Sequence, residues 1–508
     1  MLANILSAAP LGIDAYPVEV EVDVAQGLPQ FSTVGLPEGA VKESKDRVKS
    51  AIKNSGYDFP VRRITINLAP ADIRKDAASL DLPMALGILA ATGAVGGKAK
   101  RFLYMGELSL DGRIKPVRGT LPVAAAAKDW NLDGLILPKD NAAEGAAVQG
   151  LPVYPVENLA DVVRFLNDEI TLTPLTEPPL PFQSEIHNAE NFNEVCGQQH
   201  AKRALEVAAA GGHNILMVGP PGSGKTMLAR RIPTILPQLD FNEALETTKI
   251  HSVSGQLGRH EALVRQRPFR APHHTISDAG LIGGGTIPRP GEVSLSHHGV
   301  LFLDELPEFR KNVLEMLRQP LEDGQVVISR AALSLSYPAD FMLVAAMNPC
   351  PCGFLGDTHH ACHCTPPQLQ RYRTRLSGPL LDRIDLHIQV PRVNHQDLSS
   401  SQAGESSETI RRRVELARQV QRERFHTHHL YTNAQMQARH IRAFCPLDEE
   451  GEQLLAQVTE RLGLSARSYS RILKVARTIA DLSGEEHIHQ SHLAEAIQYR
   501  SLDRPIHN

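Results

Sequence analysis

The stretch "NILMVGPPGSGKTMLARRI" spans residues 214–232. Ile215 to Val218 reads as a short buried strand, and the residues from Met227 read as a helix. Between them lies G-x-x-x-x-G-K-T, made of Gly219, Pro220, Pro221, Gly222, Ser223, Gly224, Lys225 and Thr226. Its glycines let the backbone curl until several N–H groups face one point, which suits phosphate oxygens. The helix start adds the positive end of its dipole. Lys225 suits the β- and γ-phosphates, and the Thr226 hydroxyl suits Mg²⁺. A glycine-rich turn alone would be a weak sign. Set between a strand and a helix, the full pattern is a strong one.

Downstream, "GVLFLDEL", residues 299–306, supplies the partner. A buried apolar strand ends in Asp304 and Glu305, beyond the carboxyl edge where parallel sheets bind ligands. Asp304 is placed to hold Mg²⁺, and Glu305 to orient or activate an attacking water. "FMLVAAMN", residues 341–348, reads as the next strand and ends in Asn348, whose amide suits the same water. Alternating strand and helix patterns from about residue 188 predict a parallel α/β sheet.

On the N-terminal side, Val18 to Val24 alternates strictly, which predicts a strand with one buried face. "RITINLAP" is a second strand, "LPMALGILAATGAV" a buried helix ending near Gly93, and "DGLILP" a strand after an alanine-rich helix. Residues 1–170 therefore read as a mixed α/β domain. Prolines 174, 178, 179 and 181 make 171–187 a semi-rigid linker. The core is expected over 188–395, a polar hinge loop over 397–408, and a helical domain over 396–508.

The chain has 508 residues, 42% hydrophobic and 22% charged, with net charge −4. That composition is ordinary for a globular protein and gives no global basic field. No basic n-region precedes Lys42, and no run of about 18 apolar residues exists. A cytoplasmic chain is expected, with its cysteines reduced.

"FNEVCGQQHAKRALEVAAAGGHNILMVGPPGSGKT", "LFLDELPEF", "AAMNPCPCG", "LSGPLLDRIDL" and "SARSYSRILKVARTIADL" together resemble the magnesium-chelatase-like AAA+ proteins. More narrowly, they resemble the ComM/YifB family. The resemblance covers essentially the whole chain, in order. It implies an α/β fold class with a Lon-like α+β N-terminal domain, a P-loop AAA+ core and a helical magnesium-chelatase-type lid. It implies ATP hydrolysis with Mg²⁺, a homo-hexameric ring and a DNA partner. Branch migration of recombination intermediates, as in natural transformation, is the implied activity. Carried over by position, Gly219 to Thr226 is Walker A, Asp304 and Glu305 are Walker B, and Asn348 is sensor 1. Arg383 in "PLLDRIDL" matches the arginine finger, for which an ion pair with Asp382 or Asp385 is the plainer reading. Arg467 matches sensor 2 on the lid, with Arg471 one turn away as its competitor.

"IRKDAASLDLPMAL" resembles the Lon segment that carries a serine nucleophile, and Ser79 falls on that position. A Ser–Lys dyad needs a lysine close by. In "GELSLDGRIKPVRGTLPVAAAA" the lysine's place is taken by Leu121, and neither Lys115 nor Lys128 matches it. The domain is expected to keep the fold as a scaffold or binding surface without peptidase chemistry.

Residues 251–298 hold five arginines and six histidines against three acidic groups. The resemblance places insertions here and before sensor 1, pointing into the ring's channel. Arg265, Arg267, Arg270, Arg289 and Arg330 are the DNA-contact candidates. A ring repeats each arginine, so a basic pore needs no basic monomer. A loop packed on a neighbouring subunit is the plainer reading. The run Arg411 to Arg413 reads equally as a solvated helix face. A chelatase-like or protein-remodelling ATPase without a DNA substrate is the rival to the motor, and an ATP-dependent peptidase a second one.

Cys350, Cys352, Cys362 and Cys364 form two C-x-C pairs within "NPCPCGFLGDTHHACHCTP", residues 348–366. In an extended C-x-C both sulfurs face one side, so two pairs can close a tetrahedral S₄ site suited to structural zinc. His359, His360 and His363 are spare ligands, and four metal-free thiols the alternative. The pairs lie between Asn348 and Arg383, where a closed site would stiffen the chain. Cys196 and Cys445 stand alone and read as core residues.

Overall fold

The structure, a computed structural model, describes residues 1–36, 39–71, 75, 78–175, 190–258, 261–285, 288–330, 333–357, 359–393, 404–428 and 430–500. Residues 176–187 of the expected linker, 397–403 of the expected hinge, and Arg259 lie outside them.

The chain forms two compact units. The first comprises Met1–Ser184, Asp240–Arg265 and Ser329–Tyr337. Its seven-stranded sheet runs in the spatial order Gln30–Val34, Arg63–Ala69, Asp14–Ala25, Leu2–Leu11, Phe102–Tyr104, Gly134–Pro138, Val153–Val156. Asp14–Ala25 pairs antiparallel with both of its neighbours, and the remaining pairs are parallel. Val18, Val20, Val22 and Val24 are all buried while Glu19 and Asp23 are exposed, as the alternation predicts. The buried helix Asp81–Ala91 packs on this valine face and ends just before Gly93. A second apolar cluster gathers around Leu121, Leu135 and Leu137.

Asp240–Arg265 follows the phosphate-loop helix in sequence, yet it belongs to this first unit. Asp240 caps the helix Phe241–Ser254 with a capping box closed by Glu243. That helix packs on Thr120–Ala127, and Leu245 and Leu263 enter the cluster around Leu121. The buried Glu144 carboxylate joins the pieces, accepting from Leu121 N at 2.9 Å, Asn141 Nδ2 at 3.0 Å and the Ser252 hydroxyl. The sequence reading took 251–298 as one channel-facing segment. The structure divides it at Arg265, because Leu245 and Leu263 have an apolar partner in the first unit.

The second unit, Glu185–Leu239, Gln266–Ile328 and Pro338–Asn508, is built on a five-stranded parallel sheet. The order is Phe269–Arg270, Val300–Leu303, Met342–Met347, Ile215–Val218, Leu386–Gln389. Three of these strands are buried at every residue, which is the mark of a parallel sheet covered on both faces. The helices Ser407–Phe425, Glu449–Leu462, Ala466–Ser483 and Gln490–Gln498 make the helical C-terminal region. Ile410, Val414, Leu455, Ile472 and Val475 share one continuous core with the sheet. No described helix is long and apolar enough to cross a membrane.

Candidate nucleotide site and cysteine cluster

Three strands of the second unit deliver their carboxyl ends to one place. Ile215–Val218 runs into the phosphate loop, and Gly219 N donates to Met347 O at 3.2 Å. A Cβ on Gly219 would sit 2.1 Å from Val390 O, so only glycine fits between these strand ends. Gly224 starts the helix Lys225–Ile235. Lys225 Nζ donates to Gly219 O at 2.7 Å, Pro220 O at 3.0 Å and Asn348 Oδ1 at 3.4 Å. Burial pushes the Lys225 ammonium below the ordinary lysine range, opposed by the Asp304 carboxylate.

Thr226 Oγ1 donates to Asp304 Oδ2 at 2.7 Å, which puts a hydroxyl and a carboxylate in place for a divalent cation. Asp304 Oδ1 accepts from Glu305 N at 2.9 Å. Glu305 holds a left-handed backbone with φ 52°, and its side chain is 56% exposed. A left-handed backbone is uncommon for a residue other than glycine.

Two neighbours were missed in the sequence. His274 Nδ1 lies 3.4 Å from Glu305 Oε2. Gln198 Nε2 donates to Ser223 O at 2.6 Å and Pro391 O at 3.3 Å, tying the phosphate loop to the sheet's last strand. Only the chain's proximity to itself reveals His274. Gln198 had a signal, because it stands in "VCGQQHAK" just ahead of the loop's strand.

Arg383 is 7% exposed; it donates to Pro379 O at 2.7 Å and pairs with Glu322. Its acidic partner is thus neither Asp382 nor Asp385. Arg467 is exposed on the first turn of its helix. Arg471 instead pairs with the buried Asp385, which also lies 3.1 Å from His213 Nδ1. Burial pushes the Asp385 carboxyl up, but Arg471 and His213 hold it well below the usual carboxylate range.

The arginines singled out for DNA separate. Arg267 donates to Pro237 O at 2.6 Å, His298 O at 2.7 Å and Gln238 O at 3.3 Å. Arg270 grips Glu292 through two bonds of 2.6 and 2.8 Å. Arg265 is half-buried. Arg289 is exposed, on a two-residue strand paired with Gly283–Gly284. Arg330 ends the strand Gln325–Arg330 of a separate two-stranded sheet.

In the first unit Ser79 is 4% exposed, at the lead-in to the helix Asp81–Ala91. Leu121 is 0% exposed in the apolar cluster, while Lys115 and Lys128 are exposed. Lys75, buried four residues before Ser79, was not weighed from the sequence.

The four clustered cysteines converge. Cys350 Sγ lies 3.3 Å from Cys352 Sγ and 3.7 Å from Cys362 Sγ, with 3.6 Å between the latter two. Cys364 completes a set within 4.8 Å. A tetrahedral metal with bonds of about 2.3 Å sets its sulfurs roughly 3.8 Å apart, so this donor set fits. Backbone N–H groups of Phe354 and His363 pull the Cys352 thiol down to about 6. Gly353 has φ +86°, and a Cβ there would lie 2.6 Å from Pro221 Cδ, so the cysteine loop abuts the phosphate loop.

A glycine loop, a strand-end Asp–Glu pair and a strand-end asparagine on a parallel sheet with helices behind define a P-loop fold of the AAA+ class. The family description "Magnesium chelatase, subunit ChlI" matches residues 191–398, its C-terminal counterpart 404–500, and "Subunit ChlI of Mg-chelatase" 20–141. The chain is 46% identical over 510 residues to the competence protein ComM of Haemophilus influenzae, covering 99% of this chain and 98% of that one. It is 44% identical over 506 residues to YifB of Escherichia coli, with the same coverage. Lon protease 2 of Bacillus subtilis is 29% identical over 186 residues, 32% of this chain and 33% of that one. The chain belongs to the ComM/YifB family of magnesium-chelatase-like AAA+ proteins.

Proposed function

We propose that this chain is a ring-forming, ATP-driven DNA motor that branch-migrates recombination intermediates. One observation carries the ATPase part: Lys225, Thr226, Asp304, Glu305 and Asn348 meet at the carboxyl ends of adjacent parallel strands. Lys225 and the loop N–H groups take the β- and γ-phosphates. Thr226 and Asp304 would hold Mg²⁺, whose charge would offset that on the transferred phosphoryl group. Glu305 orients the attacking water, with His274 fixing its carboxylate and Asn348 steadying the same water. Arg383 acts in trans, leaving Glu322 when a neighbouring subunit presents its nucleotide, and Arg467 closes from the lid. Arg471 is unsuited to that role because the buried Asp385 would lose its ion-pair partner.

The DNA part rests on the full-length likeness to a protein named for competence. A homo-hexamer would repeat Arg265, Arg289 and Arg330 as candidate DNA contacts around its channel, while Arg267 and Arg270 brace the insertion. The four cysteines hold a structural zinc ion. The first domain serves as a scaffold, since Ser79 is buried and apolar packing surrounds Leu121. The match to magnesium-chelatase subunits favours a second reading, a remodelling ATPase that acts on a protein client.

Strand exchange on a synthetic branched junction separates the two. The parent is expected to resolve junctions with ATP while Glu305→Gln binds ATP and resolves none. A parent that hydrolyses ATP without DNA stimulation and leaves junctions intact would establish the remodelling reading instead.

A further inference from the structure

One turn beyond Glu305, Pro307, Glu308 and Lys311 line an open recess with Arg371, Thr374 and Arg375. Its volume is about 420 Å³, over ten times the ~30 Å³ share of one water molecule. Three cations line it against one carboxylate. Arg375 donates to that carboxylate, Glu308 Oε1, at 2.6 Å and to Pro307 O at 3.3 Å. Lys311 and Arg371 form no ion pair among the described residues. Glu315, which feels the Lys311 charge, is itself bonded to Arg318. Lys311 and Arg371 therefore leave uncompensated positive charge on the recess that an anion would take up.

The recess is wired to both water-positioning residues. Glu308 belongs to the turn Leu306–Glu308 that Glu305 starts, and Glu308 N donates to Glu305 O at 2.7 Å. On the other wall, Tyr372, next to Arg371, donates its hydroxyl to Asn348 O at 3.2 Å. An anion that drew Arg375 away from Glu308 would loosen the Glu305 turn.

We propose that this recess binds the phosphodiester backbone of single-stranded DNA, and that its occupancy reaches Glu305 and Asn348 to stimulate hydrolysis. The inference rests on the DNA-motor reading and assigns a contact site to it. Contacts here are to phosphates, so they are indifferent to base sequence and sensitive to salt.

The test uses the intact chain, a fluorescent oligo-dT strand and the double variant Lys311→Glu/Arg371→Glu. Anisotropy should show affinity falling at least about tenfold, and a salt slope shallower by about 1.4, from roughly 0.7 per lost contact. The ratio of hydrolysis with and without DNA should fall towards one. Lys311→Arg/Arg371→Lys should retain both properties, and Lys53→Glu, exposed in the last turn of the helix Gly39–Asn54, should change neither. If the double variant melts early, the neutral Arg371→Gln is compared with Arg371→Lys instead. A double variant that binds dT and responds to it like the parent overturns this site and leaves the motor reading standing. A parent that neither binds dT nor is stimulated by any DNA removes the motor reading itself. Normal dT binding with hydrolysis that no longer rises with protein concentration would reassign the recess to phosphates of a neighbouring subunit's nucleotide.

Discussion

Two arginines one helical turn apart, Arg467 and Arg471, show how burial sorts roles that sequence leaves open. Asp385 is almost fully buried, and Arg471 is its ion-pair partner, with His213 on the other side and Thr478 behind it, 2.8 Å from His213 Nε2. Removing one member of a buried pair leaves an uncompensated charge, at a cost of about 3–5 kcal/mol. Arg471→Met is therefore expected to lower the melting temperature sharply. Arg467→Ala should leave it unchanged while slowing ATP turnover. Calorimetry and a steady-state assay on the two variants check the assignment, and equal melting temperatures would undo it. Neither Asp385 nor His213 was legible as a partner, because they lie 86 and 258 residues from Arg471 along the chain.

At the level of elements, the cysteine loop and the phosphate loop share a contact that neither motif announces. Gly353 sits against Pro221 in a conformation that side chains rarely adopt. Gly353→Val is expected to cost about 1–3 kcal/mol in strain, much of it passed to the phosphate loop as roughly tenfold weaker ATP binding. Equilibrium titration with a fluorescent ATP analogue measures this, alongside an unchanged metal content. For the cysteine set, elemental analysis should find about one zinc per chain. Cys362→Ser should lose that metal, and the loss should lower thermal stability. The pairing of the cysteines predicted that the four sulfurs gather, but Cys350 to Cys352 does so from a turn closed by Gly353 N on Cys350 O at 3.0 Å, not from the extended chain that the spacing suggested. The contact with Pro221 depends on how two separate loops are brought together, which no spacing encodes.

Across the whole second unit, buried imidazoles tie stability to pH. Burial pushes His213 and His387 below the ordinary histidine range, His387 to about 3. Unfolded, each takes a proton near pH 6.5, which the folded chain refuses. The unfolded state then binds more protons below about pH 6.5, so stability is complete above that value and falls with acid. Each histidine contributes up to about 1.4 kcal/mol per pH unit in that window. The melting temperature should accordingly drop between about pH 7.5 and about pH 5.5, and the drop should be smaller in His387→Phe than in the parent.

The sequence by itself determined whatever depends on neighbours a few residues away. The phosphate loop, the Asp304–Glu305 strand end, the alternating Val18–Val24 strand and the paired cysteines are all local patterns set by residues close together in the chain. Tertiary structure alone decided where the chain between the two Walker motifs goes. Asp240–Arg265 joins the first unit because Leu245 and Leu263 find apolar partners there and Ser252 meets the buried Glu144. It also decided which charges are spent internally, as with Arg267, Arg270 and Arg471, and which face an open recess, as with Lys311 and Arg371. A charged side chain carries no mark of its partner in the sequence. Pairing is set by distance in the folded chain, and burial then fixes what the pair is worth.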